Sequence, residues 1–464
     1  MRPVFGVRAA ALPLLLVALL CGFSANTTSA PDVPVIVTSA PAYDALAALR
    51  GGERFPQGAQ LLLVQGGKAE PLVAGFAASA DVSVSFDAKT VLFAGKKSAG
   101  DPWQIWELSL ADHAVRQVIG GSADVVRPLY LPGRSLVFAR RGPQGYQLVA
   151  ADLGGKNELP LTYLPASAIP DDVLADGRIL FEAGFPLGTG STPELYLVYS
   201  DGSGVESYRC DHGAHRWGGR QLASGDVVFT HGATLARFTS PLAHEARIAA
   251  PGADYAGGIA ETPSGQWLVS ARNARSGDYA LKSWQPKLSS EKSAPPLTPV
   301  LALAGQNLVE PVLLAPRERP RQHPSALHDW SYANLLALDA RQSREGDLKT
   351  TPTQVRLETQ DATGGALMLG TSPVESDGSF FVKVPADRPI RFLLVDEKGT
   401  VVRQEHGWFW IRRGEQRICV GCHTGPERAA ENNVPAVFLR STTPVDLAGA
   451  PAPDTARQAE KGSR

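Results

Sequence analysis

A repeat of strand-forming segments constrains the fold of this 464-residue chain more than any other feature. Five segments place a turn rich in Gly, Asp or Pro ahead of a run of β-branched and aromatic residues, as in a turn that leads into a β-strand. They are "FDAKTVLFA" at 86–94, "LPGRSLVFA" at 131–139, "ADGRILFEA" at 175–183, "ASGDVVFTH" at 223–231 and "PSGQWLVSA" at 263–271. Between their central residues, which are Val91, Leu136, Ile179, Val227 and Leu268, the steps are 45, 43, 48 and 41 residues.

A second series of strand-forming segments keeps the same step. Its members are "QLLLVQGG" at 60–67, "QIWELSLAD" at 104–112, "QLVAADLGG" at 147–155 and "ELYLVYSDG" at 194–202. Several strands per unit at a period of roughly 40–45 residues predict a β-propeller, because sheets packed around an axis bury both of their faces. We count six blades, and "VEPVLLAP" at 309–316 either closes the ring or belongs to a seventh. The alternative is a β-sandwich whose strand spacing recurs by coincidence.

The composition agrees with an all-β fold. The chain contains 46 Gly and 36 Pro residues, which suit many turns between short strands. A formal net charge of −1 gives no sign of the basic face that a nucleic-acid-binding protein needs. We therefore expect no nucleic-acid partner.

The sequence changes in character after the repeats. "PRERPRQHPS" at 316–325 is basic and proline-rich, and predicts a linker without regular structure. "DGSFFVKVPAD" at 377–387 and "DEKGTVV" at 396–402 are turns followed by strands, and predict a small β-sandwich-like domain. The predicted regions are a leader over 1–24, the propeller over 33–316, a linker over 317–349, the sandwich-like domain over 350–441 and a disordered tail over 442–464.

The first residues have the features of an export signal. Arg2 and Arg8 precede the apolar run "AAALPLLLVALL", which is too short to span a membrane comfortably. Cleavage near Ser24 is one expectation, and a lipid anchor on Cys21 is the other. No second apolar run of membrane-spanning length follows, so we expect an exported, periplasmic protein without a transmembrane segment.

The motif "CVGCH" at 419–423 carries the clearest chemistry in the chain. C-x-x-C-H is the attachment signature of c-type haem, in which two thiols bond the porphyrin and the adjoining imidazole binds iron. Here these roles fall to Cys419, Cys422 and His423. The motif therefore predicts one covalent haem c, and attachment outside the cytoplasm agrees with the export signal. A redox dithiol, a zinc site and a short disulfide loop remain the alternatives.

The second axial ligand of the iron is open. Apart from the initiator, Met368 is the only methionine, and His406 lies close to the motif in sequence, although a lone histidine beside Trp408 and Trp410 is more often a packed strand residue. The propeller offers "YRCDHGAHRW" at 208–217, with soft and imidazole ligands that suit a transition metal or a haem face. Its candidate residues are Cys210, Asp211, His212 and His215. The alternative is a loop between blades with a buried cysteine and solvated histidines. A metal site besides the haem has no other support in the sequence.

Taken together, these segments resemble the alpha subunit family of hydrazine synthase in its middle haem domain. The resemblance rests on "DGSFFVKVPAD", "FLLVDEKG" and "WFWIRRGEQRICVGCHTGPERAAENNVPAVFL" and is specific over 376–437, while the propeller turns also resemble those of TolB-like propellers. It implies a c-type haem on Cys419, Cys422 and His423 that faces a propeller. It also implies a propeller cysteine near the haem, for which Cys210 is the candidate.

The chain departs from this family in two respects. The sequence contains one CxxCH motif, whereas the hydrazine synthase alpha subunit carries a second haem domain. The family implies a tyrosine ligand shortly after the motif, but no tyrosine follows Tyr332, and Glu427 stands four residues after His423. Hydrazine synthesis is therefore not expected, and ordinary histidine ligation is.

Three functional hypotheses follow from the sequence. The first is a monohaem c-type cytochrome that exchanges electrons with a redox partner or serves as the haem subunit of a multi-subunit oxidoreductase. The second is a propeller that binds another protein and has a structural haem or metal. The third is a haem enzyme with an open distal site.

Overall fold

The computed structural model of the chain describes residues 33–185, 192–209, 215–240, 243–251, 253–273, 277–286, 295–343, 348–361, 364–405, 407–421 and 433–449. The regular structure of these residues is β-strand, apart from the helix α1 (Ala436–Arg440) and a 3-10 turn at Ala48–Arg50. The predicted all-β fold class is confirmed.

Strands β1 to β25 form the first part of the fold. The first twelve are β1 (Val35–Ala40), β2 (Gln60–Gln65), β3 (Lys68–Pro71), β4 (Ala78–Val84), β5 (Thr90–Lys96), β6 (Gln104–Ser109), β7 (Val115–Ile119), β8 (Val125–Leu131), β9 (Ser135–Gly142), β10 (Gly145–Asp152), β11 (Leu159–Pro160) and β12 (Ala168–Val173). The others are β13 (Ile179–Phe185), β14 (Thr192–Val198), β15 (Glu206–Ser207), β16 (Arg216–Gln221), β17 (Val227–His231), β18 (Thr234–Phe238), β19 (Ala246–Arg247), β20 (Asp254–Tyr255), β21 (Ala260–Glu261), β22 (Trp267–Arg272), β23 (Ala280–Trp284), β24 (Thr298–Leu301) and β25 (Asn307–Leu313).

These strands form antiparallel sheets of four consecutive strands. Their orders are β4-β5-β6-β7, β8-β9-β10-β11, β12-β13-β14-β15 and β16-β17-β18-β19. A further sheet has the order β20-β22-β23-β24, with β21 also paired to β22. In the remaining sheet β25 pairs with β1, so the order is β25-β1-β2-β3, and the start and the end of the repeat region share one sheet.

The two series seen in the sequence correspond to fixed positions in these sheets. The first series supplies the second strand of five sheets, namely β5, β9, β13, β17 and β22. The second series supplies the third strand of four sheets, namely β2, β6, β10 and β14. The innermost strands contact one another from sheet to sheet, and β22 of the last sheet contacts β25 of the first. This arrangement is a β-propeller.

The innermost strands are irregular at equivalent positions. Register shifts lie between Ala80 and Ser83, Val126 and Leu129, Pro170 and Asp172, and Trp217 and Arg220, and another lies opposite Ile36 and Thr38 in β25. In the sheet of β22, the innermost strand is divided into β20 and β21. Bulges re-aim side chains, and these bulges turn charged residues toward the propeller axis.

We call Arg54, Asp81, Arg127, Asp171 and Glu310 the axial cluster. All five are buried, and the bulge residues Asp81, Arg127 and Glu310 have positive φ angles of 57°, 54° and 56°. The Arg127 Nη2 atom lies 3.3 Å from Glu310 Oε1 and 3.7 Å from Asp171 Oδ1. Arg54 comes from the loop between β1 and β2 and pairs with Asp81 and Glu310. The axis is therefore filled by paired charges that come from four different sheets and one loop.

Glu182 on β13 lies beside this cluster and makes the stability of the propeller depend on pH. It is 1% exposed, and its Oε2 atom accepts a hydrogen bond from the Gly218 N–H group at 3.1 Å. Burial, and then the charge of Asp171, raise the pKa of Glu182 from 4.5 to about 8. The folded protein therefore holds a proton that the unfolded chain releases, so this residue lowers the free energy of unfolding as the pH rises from about 4.5 to 8.

The Glu182→Gln variant tests this pH dependence. The amide keeps the acceptor for Gly218 and cannot ionise, so we expect the variant to be more stable than wild type at pH 8.5, by on the order of 2 kcal/mol, and similar to it at pH 5. The exposed Glu206 in the same sheet provides the control, and Glu206→Gln should not reproduce the gain in stability at pH 8.5. Urea unfolding at the two pH values measures the difference. Equal stability of Glu182→Gln and wild type at pH 8.5 would refute the assignment.

Residues 314–331, which we call the strap, cross one end of the propeller without forming a helix or strand. The Arg321 N–H group donates to the Ala175 carbonyl at 3.0 Å, and the His323 ring stacks on Tyr199 at 3.9 Å. The predicted linker thus lacks regular structure over these residues, but it is fixed against the turns of the propeller.

The strands of the described residues after the strap form two packed sheets. Their strands are β26 (Tyr332–Ala337), β27 (Gln354–Gln360), β28 (Ala366–Pro373), β29 (Phe380–Pro385), β30 (Ile390–Val395), β31 (Val401–Gln404), β32 (Gln416–Cys419) and β33 (Val445–Asp446). One sheet has the order β32-β26-β29-β33 and the other β28-β27-β30-β31, with a shared hydrophobic core between them.

The predicted bounds of this domain, 350 and 441, are wrong. Strand β26 lies inside the predicted linker over 317–349, but Ala333, Leu335 and Ala337 face the sandwich core and β26 pairs with β29 along its whole length. Strand β33 lies inside the predicted tail over 442–464 and pairs in parallel with β29. β26 has only six residues, five of them buried, and β33 has two, so neither has an alternating apolar pattern long enough for the sequence to reveal it. Residues 450–464 of the predicted tail, and the predicted leader, lie outside the described residues.

Candidate functional site

Cys419 is the last residue of β32, on an edge of the sandwich. β32 pairs in parallel with β26, with Cys419 opposite Ala337, and the Leu338 N–H group donates to the Cys419 carbonyl at 2.8 Å. Parallel neighbours require a long connection, and here the chain between β26 and β32 builds most of the sandwich. The strand that leads into the motif is therefore held in register by the first strand of the domain.

The thiol of Cys419 is free and packs against the sandwich core. Burial raises the pKa of Cys419, Glu405 and Glu415 act in the same direction, and Arg417 opposes them. These surroundings disfavour a thiolate and suit a sulfur that is bonded to carbon, which carries no charge and needs no hydrogen-bond partner. The described part of the motif thus fits a thioether.

Several predicted site residues lie outside the described residues. They are Cys422, His423, Cys210, His212 and His406, together with Asp211 and Cys21. Their predicted roles stay predictions. Within the described ranges, no group of three or more His, Cys, Asp or Glu residues could hold a metal ion.

Met368 is not close to Cys419. It lies on the edge strand β28 and is 59% exposed. Gly370, two residues further along β28, lies beside the side chain of Leu447, which follows β33. Cys419 lies at the other edge of the sandwich, because β32 and β33 are the two outer strands of one sheet. As a candidate axial ligand, Met368 is therefore not brought near Cys419, since position in sequence says nothing about which edge a strand occupies.

His215 is also remote from the contact between the two domains. Its carbonyl accepts from Gly232, in the turn between β17 and β18, and the residue is exposed. The sandwich instead contacts Asp201 and Gly202, in the turn between β14 and β15. In an up-and-down sheet the turn between the second and third strands lies at the opposite end from the turn between the third and fourth. The structure therefore places His215 at the far end of the propeller from this contact.

The segment just before the motif joins the sandwich to the propeller. Trp410 is 1% exposed and belongs to the hydrophobic cluster of the sheets β8–β11 and β12–β15. Its Nε1 atom donates to the Gly202 carbonyl at 3.3 Å, and its ring meets Tyr163 edge-on at 6.3 Å. One large side chain of the sandwich thus completes the core of two blades.

Polar contacts surround Trp410. Arg412 donates to the Asp201 carbonyl at 3.0 Å and to Asp387 Oδ1 at 2.6 Å, and also bonds the Tyr163 hydroxyl. Glu415 accepts from the Arg412 backbone N–H group at 2.8 Å and from the Gly204 N–H group at 3.3 Å. These contacts fix the residues that immediately precede Cys419 against the propeller.

The sequence reasoning missed this interface. In the sequence, "WFWIRRGEQ" carries part of the family resemblance, and its two tryptophans and two arginines directly before a C-x-x-C-H motif are also a signal for a buried contact. Trp and Arg are the residues most often enriched at buried contacts between protein surfaces. Their position in the chain also predicts that the motif lies near the propeller.

Comparison with known proteins adds evidence on the family. The family described as hydrazine synthase alpha subunit middle domain matches residues 335–424. The hydrazine synthase subunit alpha of Kuenenia stuttgartiensis is 37% identical over 73 residues, which cover 16% of this chain and 9% of that relative. This chain resembles the hydrazine synthase alpha subunit. The resemblance predicted from the sequence is confirmed, over a small part of the relative's length.

Solved structures extend the likeness to the fold. The K. stuttgartiensis hydrazine synthase aligns with 88% of this chain and 72% of its own chain, with a TM-score of 0.73 and 17% identity. TolB from Acinetobacter baumannii aligns with 61% of this chain and 67% of its own, with a TM-score of 0.45 and 14% identity. The match to hydrazine synthase shows that the combination of a propeller with this second domain is a known fold.

Proposed function

We propose that this protein is an exported monohaem c-type cytochrome, in which Cys419 and Cys422 bond the haem and His423 ligates its iron. The observation that carries the proposal is the C-x-x-C-H sequence at the end of β32, within the region that matches the hydrazine synthase alpha middle domain. The apolar surroundings of the Cys419 thiol support it.

The haem, when bound, supplies one-electron redox chemistry, and the protein adjusts its potential through burial, hydrogen bonds and axial ligation. This chain holds the start of the attachment segment in a fixed position. β32 is paired to β26, and Trp410 and Arg412 hold the preceding residues against the propeller. A redox centre mounted in this way keeps its geometry in both oxidation states, which favours a role in electron transfer or as the haem subunit of an oxidoreductase.

We further propose that the propeller has six blades and that β25 closes the ring by pairing with β1. We propose that the leader predicted over 1–24 directs the protein to the periplasm. Attachment of a lipid to Cys21 is the alternative to cleavage near Ser24. Within the described residues, no helix is long and apolar enough to cross a membrane. The proposed partner is a redox protein or another subunit of an oxidoreductase, because a haem that serves in electron transfer exchanges its electrons with a second redox centre.

The test is a pyridine haemochrome spectrum of protein that was exported together with a cytochrome c maturation system. We expect the spectrum of haem c from wild type and a loss of the covalent haem of at least about tenfold in Cys419→Ala. The amount of covalent haem should stay at the wild-type level in Cys210→Ala, because Cys210 stands outside the motif and forms no thioether in this proposal. A wild-type protein without covalent haem, or a Cys419→Ala protein with an unchanged spectrum, would refute the proposal. Binding of CO or cyanide by the wild type would identify an open distal site and thus favour catalysis over electron transfer.

A further inference from the structure

A turn of the sandwich binds the chain on the far side of the C-x-x-C-H motif. The turn comprises residues 375–379 and precedes β29. Asp377 Oδ2 accepts from the Ala436 N–H group at 2.6 Å, and Ser379 Oγ accepts from the Val437 N–H group at 3.0 Å. These two residues begin α1, whose first N–H groups have no partner within the helix. We call residues 375–379 the clamp turn.

The clamp turn is itself rigid. Asp377 Oδ1 accepts from the Ser379 N–H group at 2.9 Å and from its hydroxyl at 2.7 Å, so both side chains are oriented before they meet α1. Gly378 has a φ angle of +86°, and a Cβ atom there would lie 2.0 Å from Asp339 Oδ1. Only glycine therefore fits this position without moving Asp339.

A second set of contacts ties the clamp turn to the residues after β26. The Arg341 guanidinium donates to the carbonyls of Ser376 and Asp377 at 2.8 and 2.7 Å, and to Asp339 Oδ1 at 2.8 Å. The Ala340 N–H group donates to the Gly378 carbonyl at 2.8 Å. Residues 339–341 thus bind the backbone carbonyls of the clamp turn.

The same short segment holds the other side of the motif. Leu338, one residue before Asp339, donates its N–H group to the Cys419 carbonyl at 2.8 Å. A continuous chain of contacts therefore joins Cys419 to Ala436 through Leu338, Asp339, Arg341 and Asp377. Two points of the chain, 17 residues apart in sequence, are both fixed to one end of the sheet that contains β26 and β29.

We propose that Asp377 and Ser379 are positioning residues for the haem-attachment segment, which fix its C-terminal end relative to Cys419. This inference rests on the proposed function. Neither residue is expected to contact iron. A segment that is fixed at both ends loses less conformational entropy when it is tethered to a rigid porphyrin, so both thiols and the histidine can engage one haem together.

Variants of the clamp turn test the inference. In Asp377→Ala and Ser379→Ala, we expect hydrogen exchange of the Ala436 and Val437 amides to accelerate by about tenfold or more, because their acceptors are removed. We also expect a lower yield of covalent haem, and shifted visible bands and midpoint potential in the haem that does attach. Ser379→Thr retains the hydroxyl, so its amide exchange, haem yield, visible bands and potential should return toward the wild-type values that Ser379→Ala loses. Ser376→Ala, in the same turn with an exposed side chain, is the matched control.

The possible results distinguish a failure of this inference from a failure of the proposed function. A wild-type protein without covalent haem would contradict the proposed function itself. Wild-type haem content, band positions and potential in Asp377→Ala, together with faster amide exchange at Ala436, would show that the turn only stabilises α1, and would overturn the inference. If Asp377→Ala does not fold, the comparison of Ser379→Ala with Ser379→Thr decides between the same two results.

Discussion

Replacing Arg54 by methionine is expected to lower the free energy of unfolding by about 3–5 kcal/mol, which is the cost of breaking a buried ion pair from one side. Arg54 is 5% exposed and pairs with Asp81 and Glu310, which are 4% exposed each. Its removal leaves two carboxylates at the propeller axis with less positive charge to offset their desolvation. Methionine has a similar length, so the loss measures charge rather than volume.

A surface arginine in the same loop provides the control for this prediction. Arg50 pairs with Asp44, and the two side chains are 48% and 55% exposed. Solvent screens such a pair, so Arg50→Met should change the free energy of unfolding by about 0–1 kcal/mol. Urea unfolding of the two variants and wild type gives the comparison. Equal small losses in both would mean that the axial cluster does not stabilise the propeller.

Truncating Trp410 to alanine is expected to cost about 3–5 kcal/mol and to separate the unfolding of the two domains. The indole is buried in the core of two blades although it belongs to the sandwich, and its Nε1 atom bonds the Gly202 carbonyl. Loss of this side chain opens a cavity at the domain contact and leaves that carbonyl without its donor. The propeller and the sandwich should then unfold in two transitions instead of one.

Trp408 allows a matched comparison. It lies two residues away and is partly buried, and the Arg391 guanidinium of the sandwich lies 4.7 Å from its ring centroid. Trp408→Ala therefore removes an equal volume from a contact within the sandwich. We expect a smaller loss of stability and a single transition for this variant. Calorimetry resolves the number of transitions. One transition with wild-type midpoint in Trp410→Ala would contradict the role assigned to the interface.

The repeat pattern predicted the propeller because each blade is encoded locally. A turn with Asp or Gly followed by an apolar run forms the second strand of its sheet wherever it occurs, from Thr90–Lys96 to Trp267–Arg272. The period then reports the number of residues in one sheet. The bulges that form the axial cluster were not predictable in this way. In the sequence, Asp81 and Glu310 look like ordinary polar residues, and only the packing of neighbouring sheets brings them together.

The candidate haem site was predictable from the sequence only where its functional residues lie next to one another in the chain. Cys419 was found because the C-x-x-C-H motif is local. Met368 is a candidate as the only methionine besides the initiator, and His215 as part of a short segment rich in metal-ligating residue types. Their positions, on a remote strand edge and at the far end of the propeller, depend on topology that no local pattern encodes. The clamp turn is an intermediate case. Its sequence marks a turn, but the contact of Asp377 with Ala436 joins residues 59 positions apart.

Intact mass spectrometry of the protein matured in a periplasm tests the central proposal most directly. We expect the mass of the processed polypeptide plus one haem, which is retained after denaturation because the thioether bonds of Cys419 and Cys422 are covalent. The mass of the polypeptide alone, with thiols that are free or oxidised to each other, would contradict the assignment of a c-type haem to this chain.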